Sequence, residues 1–216
     1  MNKAVIFDLD GTLLDTLSDI VDSVNVALKN FGYPTRTRDE VRLFIGNGAR
    51  NLITKSLGEG ADQKTIDECL DYYNEIYTSS GSPKTKVFDG IEELIKGLKE
   101  RGFLIAILTN KPQMTTDDVY ATYLSHLGFD MIVGQSEKVK CKPDKSAALS
   151  ILSKFEVPLD RAFMVGDGDA DVLTAINANI TGISALWGYR TRQELLNVGA
   201  KRFANIPQEV LQIISI

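Results

Sequence analysis

The chain has 216 residues, of which 44% are hydrophobic, a formal net charge of −5, two cysteines and one histidine. That length suits one generous domain, or one core with a smaller appendage. The modest negative charge argues against nucleic acid as the main partner. No stretch is long and apolar enough to span a bilayer, and the cysteine and histidine counts exclude a disulfide framework and a multi-histidine zinc site.

The amino terminus leads straight into AVIF at 4–7, a short apolar run that reads as a buried strand, so no signal peptide is expected and the cytoplasm is the expected setting. FDLDGTLLD follows, with Asp8 and Asp10 leaving the strand end on a similar side. Such a pair can hold a metal, trade protons or cap a turn. From Leu14 to Gly81 the sequence offers no convincing strand. Leu17, Val21, Val24, Leu28 and Phe31 repeat at helical spacing, as do Ile66, Leu70, Tyr73 and Tyr77 with Cys69 beside them. VRLFIGNGARNLI between them reads as helix, turn, helix, and SSGSPKTK closes the interval.

Beyond it, apolar strands and helical stripes alternate. Ile91, Leu94, Ile95 and Leu98 form a stripe, and LIAIL at 104–108 a strand that runs into Thr109 and Asn110. MIVG at 131–134 is the next strand. Lys142–Pro143 then precedes a helix starting near Asp144 and carrying Ala147, Ala148, Ile151, Leu152 and Phe155. AFMVG at 162–166 delivers GDGDAD, with Asp167, Asp169 and Asp171. A helix bearing Leu173, Ile176 and Asn177, the run ITGISAL at 180–186, and a helix with Leu195 and Leu196 follow. The pattern implies an α/β fold: a mostly parallel sheet flanked by helices on both faces, built from residues 1–13 and 82–216, with residues 14–81 as an all-helical insert over the strand ends.

Four polar clusters therefore fall where successive strands end and can share one site. Asp8, Asp167 and Asp171 are hard oxygen ligands suited to Mg²⁺, with Asp10 able to add its main-chain carbonyl. Lys142 can offset charge on a phosphoryl group and on a nucleophile, and Thr109 with its neighbouring main-chain N–H groups can hold another phosphoryl oxygen. This set permits attack by Asp8 on phosphorus, with Asp10 protonating the departing oxygen and then activating water. Read singly, the same residues have plainer roles. Asp8 and Asp10 suit a strand-end turn, Thr109 and Asn110 a loop cap, and Lys142 a solvated surface. GDGDAD has the alternation of a calcium loop but lacks its later Glu.

The order FDLDGTLLD, Thr109–Asn110 after an apolar run, Lys142–Pro143 and VGDGDAD resembles the haloacid dehalogenase-like hydrolase superfamily and organises nearly the whole chain. The resemblance implies a Rossmann-like core with a small helical cap, and Asp8 as nucleophile with Asp10 as acid/base. It also implies Thr109, Asn110 and Lys142 at the phosphate, and Asp8, Asp10, Asp167 and Asp171 around Mg²⁺. The acid at Asp10 favours phosphate transfer over dehalogenation. FIGNGARNLI and ALWGYRT are most similar to phosphoglycolate phosphatases, which makes 2-phosphoglycolate the expected substrate and Gly48, Ala49 and Arg50 candidate cap contacts. Pyrophosphatases, nucleotidases, sugar-phosphate phosphatases and phosphomutases share the frame and are the enzymatic alternatives. Outside catalysis, a phosphorylation-dependent signalling module or a silent binding protein would use the same core. Asp169 is an extra acid within the last motif and a candidate outer metal ligand. The expected partner is a small phosphorylated molecule, to a monomer or a homodimer.

Overall fold

The computed structural model describes residues 2–215. The first apolar run forms β1 (Lys3–Phe7), buried in all but Lys3. Past a turn, β2 (Leu14–Asp15) leads into four helices, α1 (Leu17–Asn30), α2 (Arg38–Phe44), α3 (Ala49–Leu57) and α4 (Gln63–Ser79). β3 (Lys86–Val87) returns antiparallel to β2, with Leu14 opposite Val87. The helical insert is thus strapped to the rest by a two-stranded ribbon. Its first strand, at Leu14–Asp15, falls where the sequence offers none, because two residues carry no periodicity.

The remainder alternates as expected: α5 (Ile91–Glu100), β4 (Phe103–Pro112), α6 (Gln113–Tyr123), β5 (Met131–Gln135), α7 (Ser146–Lys154), β6 (Ala162–Gly166), α8 (Asp169–Ala178), β7 (Thr181–Ala185), α9 (Arg192–Asn197), β8 (Phe203–Ala204) and α10 (Pro207–Ile213). Six strands pair in the order β5-β4-β1-β6-β7-β8, every pairing parallel. β1 runs between β4 and β6, with Phe7 opposite both Ile107 and Val165. Alternation sorts its side chains onto two faces. Val5 and Phe7 pack with Ile105, Ile107 and Val165 against α5 and α10. Ala4 and Ile6 pack with Ala106, Leu108 and Met164 against α7 and α8. Each large side chain so removed from water contributes about 1.5–3 kcal/mol, which is why this strand carries no polar residue between exposed Lys3 and Asp8.

Two helix faces differ from the sequence reading. On α8 the buried side is Ala170, Val172, Ala175 and Ala178, while Leu173 is half-buried and Ile176 is 53% exposed. Small residues let α8 approach the sheet closely, and the larger aliphatic side chains are left outside. On α9 Leu195 is buried and Leu196 exposed.

The four inserted helices have a core of their own. Leu17, Ile20, Val24, Leu28, Val41, Leu52, Ile53, Cys69 and Tyr73 form one apolar cluster, which Tyr189 of the sheet domain joins. Thr37 and Glu40 close a reciprocal capping box at the start of α2. Buried Asp19 on α1 accepts from Lys84 N and Thr85 Oγ1, so it pins the returning chain beside the ribbon. Among the described residues no helix is long and apolar enough to cross a membrane.

Candidate active site

β1 and β6 are neighbours and end together, and β4 beside β1 runs on past the expected end at 108 to Pro112, so the residues just past β1 and β6 face Thr109, Asn110 and Lys111 within β4. This is the point where the strand order reverses, the usual ligand crevice of an open parallel sheet. Asp8 follows β1 and is 8% exposed, and its N–H continues the sheet to Val165 O at 2.9 Å. Asp167 follows β6, and Asp171 lies in the first turn of α8. Oxygens of Asp8, Asp167 and Asp171 all lie within 4.8 Å of one another, and all three residues are buried.

Two glycines make room for Asp167 in that cluster. A Cβ on Gly11, which has φ +86°, would lie 2.3 Å from Asp167 Oδ2, and one on Gly188 would lie 2.3 Å from Asp167 Cβ. The carboxylate between them is held from both sides. Thr12 Oγ1 donates to Asp167 Oδ1 at 2.9 Å and Tyr189 N to Oδ2 at 2.7 Å. Asp171 Oδ2 accepts from Gly168 N at 2.9 Å.

Lys142 is the cation within the cluster. Its Nζ lies 2.7 Å from Asp8 Oδ1 and 2.6 Å from Asp171 Oδ1, and its side chain is 2% exposed. Burial works against the ammonium, but Asp171 and Asp8 outweigh it and hold Lys142 charged above its ordinary range. Three carboxylates against one lysine remain over-charged. Burial and then Asp171 push the Asp8 carboxyl well above the usual carboxylate range, against the pull of Lys142. Burial and Asp171 also raise Asp167 to about 7. An all-oxygen set whose members resist ionising together fits a divalent hard cation, which would relieve that repulsion. Asp8 Oδ1 accepts from Leu9 N at 2.7 Å and faces Lys142, while its Oδ2 accepts no hydrogen bond among the described residues.

The other expected residues divide. Asp10 lines the cavity above Asp8, and Thr16 Oγ1 donates to its Oδ1 at 2.7 Å. Thr109 is buried beside the same cavity, and its hydroxyl accepts from Lys111 N at 3.2 Å. Asn110 lines it too, but its carboxamide is occupied by main chain. It donates to Gly46 O and Lys142 O and accepts from Lys142 N, tying the Lys142 loop to the turn before α3. Gly48 and Ala49 line the cavity from above. The Arg50 guanidinium pairs with Asp67 at an exposed position and lines the outer groove rather than the cavity. Asp169 lies outside the three-carboxylate cluster and faces Arg190 Nε at 3.8 Å.

One residue was not visible from the motifs. Lys111, one position past Asn110, is buried, and its Nζ reaches Asp10 Oδ1 at 3.1 Å, Asp10 Oδ2 at 3.2 Å and the Tyr77 hydroxyl at 3.1 Å. Burial opposes its charge, but Asp10 and Tyr77 outweigh that and keep it an ammonium. Its adjacency to Thr109–Asn110 was the available signal. The partner on α4 was not, because nothing in sequence spacing shows which cap side chain overhangs a strand end.

A Rossmann-like parallel sheet with a buried carboxylate trio and a lysine at its switch point, under a helical cap, defines a phosphatase of the aspartate-nucleophile type. The family model for haloacid dehalogenase-like hydrolases matches residues 5–185, and the chain belongs to that family. Among curated relatives it is 31% identical over 201 residues to the phosphoglycolate phosphatase of Psychrobacter arcticus, covering 89% of this chain and 87% of that protein. It is 30% identical over 202 residues to the phosphoglycolate phosphatase of Vibrio cholerae, covering 90% and 89%. A crystal structure from Lactobacillus delbrueckii subsp. bulgaricus superposes with a TM-score of 0.93 at 25% identity, covering 99% of both chains.

Proposed function

We propose that this protein is a Mg²⁺-dependent phosphatase that hydrolyses 2-phosphoglycolate through a phosphoryl group carried on Asp8. The observation that supports it most is the meeting of Asp8, Asp167 and Asp171 around Lys142 Nζ at the end of the central strand. Kinship to enzymes named phosphoglycolate phosphatases supports the substrate.

Each residue then has a task. Asp8 Oδ2 attacks phosphorus, its other oxygen being held by Leu9 N and Lys142. Lys142 balances charge on Asp8 and on the transferring group. Thr109 and the main-chain N–H groups at the end of β4 hold the phosphoryl oxygens, with Asn110 keeping the Lys142 loop in place. Asp10 gives a proton to the departing alcohol oxygen and takes one from the water that releases phosphate. Asp8, Asp167 and Asp171, with the main-chain carbonyl of Asp10, would hold Mg²⁺; bound there, it neutralises the nucleophile and the phosphoryl oxygens. Residues 14–81 act as the cap that contributes Gly48 and Ala49 to the cavity and excludes water. A small phosphorylated molecule is the partner, in the cytoplasm, and free Cys69 and Cys141 suit a reducing compartment.

Phosphate release from a substrate panel, with and without a chelator, tests this reading. 2-Phosphoglycolate is expected to lead, with activity lost on chelation. Asp8→Asn is expected to leave no measurable turnover and a native melting profile, and acid-quenched wild-type enzyme to carry phosphorus on Asp8. Preference for inorganic pyrophosphate would overturn the substrate, and turnover by Asp8→Asn would overturn the nucleophile.

A further inference from the structure

The cavity between cap and core is lined by Asp8 and Asp10 below and by apolar and tyrosine side chains above, and among the described residues Lys111 is its one cation. Lys142 already faces two carboxylates, and Arg50 is directed outward to Asp67. We propose that Lys111, with the Tyr77 hydroxyl, is the subsite for a carboxylate on the leaving group of the substrate. The assignment rests on the phosphoglycolate reading and deepens it, naming the part of the protein that would distinguish an anionic leaving group from a neutral one.

Three features carry it. First, Lys111 Nζ lies 3.1 and 3.2 Å from the oxygens of Asp10, the group assigned to the ester oxygen. In 2-phosphoglycolate a single methylene joins that ester oxygen to the carboxylate, so a cation beside Asp10 is within reach of it. Second, the charge balance is right. A carboxylate entering next to Asp10 alone would meet a like charge. Lys111 cancels that charge, so removing it harms an anionic leaving group more than a neutral one. Third, donors remain. The Tyr77 hydroxyl accepts from Lys111, and among the described residues that is its one hydrogen bond, so its own proton is free for an incoming oxygen. Lys111 Nζ also lies 4.5 Å from the centre of the Tyr77 ring, which fixes the ammonium against the cap. A purely structural ion pair would stabilise this place no better than apolar packing of the same volume.

The two esters to compare are 2-phosphoglycolate and ethyl phosphate, which has the same chain length and no carboxylate. Wild-type enzyme is expected to favour the first. Lys111→Met is expected to lower kcat/KM for 2-phosphoglycolate at least tenfold more than for ethyl phosphate, mainly through KM. Lys111→Arg should retain part of the preference, and Tyr77→Phe should reduce it several-fold. Any damage to Asp10 strikes both esters and cancels in the ratio. Equal losses on both esters in Lys111→Met would overturn the subsite and leave Lys111 as a group that positions Asp10. If that variant does not fold, an unchanged ratio in both Lys111→Arg and Tyr77→Phe has the same consequence. A wild-type enzyme indifferent to the carboxylate would overturn the substrate reading and the subsite together.

Discussion

At the scale of single residues, the carboxylate cluster ties stability to pH in an unusual direction. Asp167 is raised to about 7, and Asp8 is raised as well, each first by burial and then by Asp171. In the unfolded chain both titrate near the ordinary aspartate value of about 3.9. Between about pH 4 and pH 7 the folded, metal-free protein therefore binds protons that the unfolded chain has released, and it loses stability as pH rises through that window. A divalent cation held by the trio would favour its ionised form, so its stabilisation should grow over the same interval. At saturating Mg²⁺ the rise in melting temperature over chelated protein should be larger at about pH 8 than at about pH 5. Groups shifted the other way, such as Glu194 at about 2, contribute equally with and without the ion and drop out of the difference. A gain independent of pH would remove the ion from these carboxylates. Asp8, Asp10, Lys142, Asp167 and Asp171 could be read from sequence because each falls next to a strand end or a helix start. Lys111 was hidden, since its meaning comes from a helix 34 positions away in the chain.

At the scale of elements, the segment after β7 and helix α2 hold each other. Arg190 donates to the carbonyls of Arg42 and Leu43 in the last turn of α2 and of Ile45 at its cap, where helix carbonyls run out of intrahelical donors. Arg42 in turn donates to Tyr189 O. The Arg190 side chain is 9% exposed, so its loss removes three charge-assisted hydrogen bonds from helix-end carbonyls, two of them half-buried. Arg190→Gln should destabilise the protein by about 1–3 kcal/mol in denaturant unfolding, and Arg190→Lys should recover little, because an ammonium cannot span three carbonyls as a planar fork does. Loss of the exposed Lys64–Glu68 pair should change stability by under about 0.5 kcal/mol. Equal effects from the two would show that Arg190 holds α2 no more firmly than a solvated ion pair does. Elements differed in how far the sequence betrayed them. β1, β4, β5 and β6 each contain an unbroken apolar run, as strands of a covered parallel sheet do, while β7 (TGISA) is betrayed only by Ile183 and its small neighbours. β2, β3 and β8 have two residues each, too few for a pattern. α6 buries only Thr116 and Val119, so it has no stripe to find. α8 misled because Ala170, Ala175 and Ala178 pack inward while Ile176 faces solvent.

For the whole molecule, the decisive feature is that the cap has its own apolar core, which Tyr189 and Phe88 of the sheet domain touch, and that polar contacts join the two at the rim of the site. Asn110 reaches Gly46 O, Lys111 reaches Tyr77, and Arg190 reaches the end of α2. Behind them are the β2–β3 ribbon and the Asp19 anchor to Lys84 and Thr85. A unit with an intact core, joined by a ribbon, a small apolar contact and a few hydrogen bonds, moves as a body more readily than it deforms. Since cap and core both line the cavity, the expected motion on substrate entry is a parting of those rim contacts while the ribbon holds. Hydrogen exchange can separate this from loosening of the cap itself. With Mg²⁺ and beryllium fluoride, a mimic of a phosphorylated aspartate, amides of residues 45–48 and 109–111 should slow together. The interior amides of α1 and α4 should keep their rates, because their hydrogen bonds are the same in the open and closed arrangements. Equal slowing throughout α1 and α4 would mean that the cap orders on closure instead of swinging shut. Specificity would then come from folding around the leaving group, not from the prearranged placement of Lys111 and Tyr77.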